Sequence, residues 1–107
     1  MSQIRQSLCL PPFVLCGATH SDLIRVAAET GYEAVEVWGR EDDFAEIVGQ
    51  AHAGGLTVAS MVGHWSHEQG LNDRTHHDRI EDELRESIEI AAAKEIPGVI
   101  VLSGNRR

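Results

Sequence analysis

The chain has 107 residues, of which 42% are hydrophobic and 24% charged, with a formal net charge of −8. That length allows one small domain with a modest core, so residues 1–107 read as a single domain with no internal boundary. The acidic balance argues against a nucleic-acid surface, which needs clustered Lys and Arg, and against docking on an anionic membrane; small neutral, hydroxylated, carboxylated or metal-bound molecules remain as partners.

Cys9 and Cys16 are the only cysteines, and their spacing matches no metal or redox signature, so two reduced thiols are expected. No apolar run approaches the about 20 residues of a membrane span, and the N-terminus lacks the charged and apolar regions of a signal peptide. Together these point to a cytoplasmic protein.

The first predicted strand lies at residues 5–10. Pro11 and Pro12 end it, because proline gives no donor to a ladder and restricts the residue before it. A loop is expected to follow, as far as Thr19. The first helix spans residues 21–30, with Leu23, Ile24, Ala27 and Ala28 on one stripe. Thr19 and Asp22 resemble a capping box, and Gly31 stands where a left-handed residue closes a helix.

The second strand covers residues 33–38, with Ala34, Glu36 and Trp38 on one face and Val35 and Val37 on the other. A second helix over residues 42–53 buries Phe44, Ile47, Val48 and Ala51. Asp42 and Asp43 suit its positive end, and Gly54-Gly55 stops it. The third strand is Thr57–Val62. Residues 63–74 then lack periodicity, a connection far longer than the usual about 2–6 residues and so a candidate functional loop. The third helix spans residues 75–94 with Ile80, Leu84, Ile88 and Ala91 as its buried stripe, an Arg85–Glu81 pair at i,i+4, and a solvated acidic run at Glu81-Asp82-Glu83. The fourth strand, residues 99–102, is apolar on both faces, a pattern of strands covered on both sides.

Strands alternating with helices predict right-handed crossovers and a parallel sheet, an α/β fold of four strands and three helices. The helix–glycine–strand beat repeats three times, and the chain reads as half of a larger repeat.

Parallel α/β folds gather their sites at the C-terminal strand ends. The candidate substrate-binding residues there are Glu36 and Trp38, His64, and Ser103, Asn105 and Arg106; the long loop adds Trp65, His67 and Glu68. The set offers hydrogen-bonding groups, a cation for an anionic group and an aromatic lid. An inward Glu36 must be paired or hydrogen-bonded, whether it serves the site or only the structure. His64 and His67 form His-x-x-His, and His76-His77 follows. On a loop that spacing fixes no geometry, so none is assigned to a metal, and His76 and His77 are expected at a solvated helix end. The stretch from Ser103 to Arg107 reads either as an anion-binding turn or as an ordinary βα turn. No nucleophilic triad, P-loop or dinucleotide fingerprint is present.

Gly31-Tyr32-Glu33-Ala34-Val35-Glu36-Val37-Trp38 resembles the helix end and second strand of the xylose-isomerase-like TIM barrels, the sugar phosphate isomerases and epimerases. Gly70-Leu71-Asn72-Asp73, and the run from Pro97 through Ser103-Gly104-Asn105-Arg106, look most like the hydroxypyruvate-isomerase-like branch. The resemblance implies the N-terminal half of a (β/α)8 barrel and an aldose–ketose proton transfer through an enediolate. It also implies a divalent metal, Mg²⁺ or Mn²⁺, bound by residues of the second half and not by this chain. Glu36, His64 and Asn105 would then be substrate-side residues. The isolated chain is expected to be inactive, with open sheet edges that invite self-association or a complementary C-terminal half. The alternative is a non-catalytic βα fragment that self-assembles or binds a small ligand without turnover. A metal-dependent abasic-site endonuclease is disfavoured by the negative charge.

Overall fold

The computed structural model describes residues 4–106. Its elements are strand β1 (Ser7–Cys9), helix α1 (Pro11–Leu15), helix α2 (His20–Thr30), strand β2 (Ala34–Glu36), helix α3 (Phe44–Ala53), strand β3 (Thr57–Val62), a 3-10 turn (Arg74–His76), helix α4 (His77–Ala93) and strand β4 (Gly98–Ile100). The strands form one parallel sheet in the order β1-β2-β3-β4. The fold is therefore α/β with a four-stranded parallel sheet, and the described residues hold four helices where the sequence reading expects three.

The additional helix is α1. Pro11 and Pro12 occupy its first turn, where the missing N–H costs nothing and the fixed φ is already helical. The Leu10 carbonyl accepts from the Phe13 and Val14 N–H groups. The same prolines thus end a strand and start a helix, and the expected loop is confined to residues 16–19.

The other helix boundaries follow local chemistry. Thr19 caps α2, its hydroxyl accepting from the Asp22 N–H at 3.1 Å, and Gly31 closes it at φ 94°. At the far end of α4 the closing left-handed residue is Glu95, with φ 59°, and Ile96 turns back to donate to the Ala91 carbonyl.

One face of the sheet is covered. Leu10, Val35, Val37, Val58 and Met61 pack with Ile24 and Ala27 of α2, with Phe44, Ile47, Val48 and Ala51 of α3, and with Ala91 of α4. Val58 and Met61 are three apart, which a regular strand would place on opposite faces. The register shift opposite Val35 and Glu36 restores both to the core. The other face carries Ser7, Cys9, Ala34, Glu36, Ser60, Val62, Gly98 and Ile100, and none of these is buried. The expected two-sided cover of the fourth strand is not found: Val99 packs on the core, while Gly98 and Ile100 are only half-buried. The radius of gyration, 15.1 Å, exceeds the about 13 Å of a closely packed chain of this size, as a sheet layered on one side requires.

The stripe of α4 is also shifted. Ile80, Ser87 and Ala91 are buried and Leu84 is half-buried, whereas Ile88 is 56% exposed. A serine takes the inward position because a carbonyl at the end of β3 needs a donor there.

Candidate functional site at the C-terminal strand ends

That carbonyl belongs to Gly63. Ser87 Oγ donates to it at 2.6 Å and accepts from Arg40 Nη1 at 2.7 Å. Arg40 follows β2, and its side chain is only 10% exposed. Its guanidinium lies 5.0 Å from the Trp65 ring centroid and 3.7 Å from Glu86. A cation at the strand ends is thereby consumed in joining the loop after β2 to α4 and to the end of β3.

The long connection after β3 is fastened to the segment after β4. His64 is buried, and its Nε2 lies 2.9 Å from the Leu102 N and 3.1 Å from the Leu102 carbonyl oxygen, so it accepts from the one or donates to the other according to the ring tautomer. The other ring nitrogen, Nδ1, is buried and has no hydrogen-bond partner among the described residues. Further along, the Leu71 and Asn72 N–H groups donate to the Leu102 and Ser103 carbonyls, the Asn105 N–H donates to Glu68, and Asn72 Nδ2 donates to Asn105 at 2.8 Å. Gly70 and Gly104 allow this seam. A Cβ on Gly70 would overlap the Gly104 N and the backbone of Leu102 and Ser103. His77 Nε2 reaches the Leu71 carbonyl at 2.8 Å and His76 lies 3.6 Å from Asp73, so these histidines brace the loop, His77 from an exposed position as expected and His76 half-buried.

Two hollows open at this end of the sheet. One, of about 270 Å³, lies over β1 and β2 between α1 and the start of α3, with Val14, Val37 and Ile47 as apolar walls and His20, Glu41 and Asp43 as polar ones. The second, of about 190 Å³, lies over β2 and β3 and is lined by Trp38, Gly39, Glu41, Val62, His64, Trp65 and His67. Trp38, Gly39 and Glu41 line both, so the loop after β2 is the partition. Neither lining includes a lysine or arginine.

Of the residues expected at the site, Trp38 lines both hollows and His64 the second. Glu36 lies below them on the uncovered sheet face, where its Oε1 accepts from Ser60 Oγ at 3.1 Å. Cys9 is its register partner on β1, giving a row Cys9, Glu36, Ser60, Gly98 across the four strands. Burial, and next the Glu36 carboxylate, raise the Cys9 thiol pKa, while the Trp38 indole pulls it down. Ser103, Asn105 and Arg106 are exposed beyond β4 and line neither hollow. Arg107 lies outside the described residues.

Sequence reasoning did not single out Arg40, Glu41 or Ser87, and met Gly70 only as part of the Gly70-Leu71-Asn72-Asp73 stretch, without its close approach to Gly104. The only local signal was Ser87 itself, a polar residue four positions before Ala91 on an otherwise apolar stripe. Among the described residues no three His, Cys, Asp or Glu side chains group closely enough to hold a metal ion. Both cysteines are free, and no helix of the described residues is long and apolar enough to cross a membrane. No family model, no curated protein and no solved structure matches the chain.

Proposed function

We propose that the chain supplies the first four βα units of a (β/α)8 barrel of the xylose-isomerase-like kind, and that its strand ends form part of the substrate-binding wall of a sugar or hydroxy-acid isomerase or epimerase. One observation supports this reading above the others. The strands follow chain order, every crossover packs on the same face, and the bare face carries a polar row ending beneath the mouth. Doubly wound sheets reverse their strand order and place helices on both faces, whereas barrels wind once and keep the second face inside. Glu36, held by Ser60, then points into a barrel interior, and Trp38 and His64 stand at its rim.

The divalent metal implied by the sequence resemblance finds no fitting ligand set among the described residues. On this reading the chain's part is to bind and orient a hydroxylated substrate, with Glu36 accepting from its hydroxyl groups. The open edges β1 and β4 pair with further βα units, either a complementary half or a second copy.

The test is incorporation of solvent deuterium next to the carbonyl of small aldoses, ketoses and hydroxypyruvate, with Mg²⁺ or Mn²⁺ present. The chain alone should give none. The chain with a complementary barrel half should turn over, and Glu36→Gln should weaken it. Ligand binding without turnover in both cases would favour the non-catalytic alternative. Light scattering should show association, and a monodisperse, cooperatively folding monomer would falsify the open-edge reading.

A further inference from the structure

We propose that the hollow between Trp38 and Trp65 binds the ammonium group of a small organic cation. This stands independently of the isomerase reading, since it rests only on the lining of the hollow. Two half-exposed indoles, Trp38 at 41% and Trp65 at 49%, line it together with Glu41. Indole faces attract cations that are weakly hydrated, and a carboxylate alongside adds a full opposite charge. Trp65 already does this within the protein, carrying Arg40 at 5.0 Å from its centroid.

Charge selects the same ligand class. The one cation of the loop after β2 that comes near, Arg40, is drawn under Trp65 and bound to Ser87. The lining itself holds no lysine or arginine and does hold the Glu41 carboxylate, while Arg40 behind Trp65 is already engaged by Ser87 and Glu86. A second feature of this lining points to a bound molecule: the buried Nδ1 of His64 has no hydrogen-bond partner among the described residues. A hydroxyl on the ligand, one short chain from the ammonium group, can donate or accept and so pairs with that nitrogen in either tautomer. The ligand class is thus a small amino alcohol of the choline type.

The experiment titrates the full chain with choline and, in parallel, with 3,3-dimethylbutan-1-ol, which has the same shape without the charge. Binding is followed through the indole N–H resonances of Trp38 and Trp65. Choline should saturate both at concentrations on the order of 1 mM, and the uncharged analogue should bind at least about tenfold more weakly. Glu41→Gln, at an exposed position that does not threaten folding, should weaken choline about tenfold, and Trp38→Leu should weaken it at least as much. Equal binding of the two probes, or choline binding unchanged in both variants, overturns the proposal.

Discussion

Replacing Ser87 by alanine tests how the loops at the strand ends are held. The hydroxyl is fully buried and makes two short bonds, accepting from a guanidinium at 2.7 Å and donating to a backbone carbonyl at 2.6 Å. A bond to a charged group is worth about 1.5–3 kcal/mol and a neutral one about 0.5–1.5 kcal/mol. Alanine recovers about 0.5 kcal/mol of helix propensity. The net expected loss is therefore about 1.5–4 kcal/mol, or a fall of roughly 0.75–2 M in the urea midpoint at a slope near 2 kcal/mol/M. Urea titrations followed by circular dichroism and by tryptophan fluorescence measure it. A double-mutant cycle with Arg40→Ala isolates the Arg40–Ser87 term, expected at about 1.5–3 kcal/mol. If Ser87→Ala costs less than about 0.5 kcal/mol, the hydroxyl is only filling space and the clasp has no energetic meaning.

Other outcomes follow from the same structure. Gly70→Ala should break the seam between the long loop and the segment after β4, because its Cβ meets backbone that cannot step aside; the amides of Leu71, Asn72 and Asn105 should lose hydrogen-exchange protection, and retained protection would disprove the close approach. Glu95→Gly should raise stability by about 0.5–1 kcal/mol by relieving a left-handed residue at the end of α4, and a loss of stability there would contradict the backbone assignment. The raised Cys9 pKa favours the protonated thiol in the folded state, so its contribution is complete below the ordinary thiol value and declines as pH rises through the folded one. Stability should accordingly fall on the alkaline side, less so in Cys9→Ser, and iodoacetamide should modify the exposed Cys16 before Cys9; equal alkaline slopes in the two proteins would rule this out.

Much of the fold was legible because its signals are local. Thr19 and Gly31 bracket α2 as their chemistry demands, and the alternation of Val35 and Val37 against Ala34 and Glu36 gave the faces of β2 directly. Pro11-Pro12 was ambiguous, since the same rigid φ that ends a ladder also begins a helix. Ile88 misled because apolar spacing around α4 fits two overlapping stripes, and a carbonyl distant in sequence chose the one containing Ser87. The site was legible as a place and as the residues Trp38 and His64. Its chemistry was not, because the position of Arg40 depends on a partner 47 residues away and the pairing of Gly70 with Gly104 leaves no periodic trace.

Sequential strand order has a consequence for how the molecule comes apart. Each strand is bonded only to strands adjacent in the chain, so the sheet behaves as a one-dimensional stack in which cohesion passes from unit to unit. Damage at one interface need not spread past the next, and opening proceeds inward from the ends. β1 and β4 each have one bonded neighbour and are the first to fray, whereas β2 and β3, flanked on both sides, outlast them. The Arg40–Ser87–Gly63 chain and the His64–Leu102 bond lie across two successive interfaces of that stack. They set how far an opening at the β4 end travels before the rest of the protein follows it.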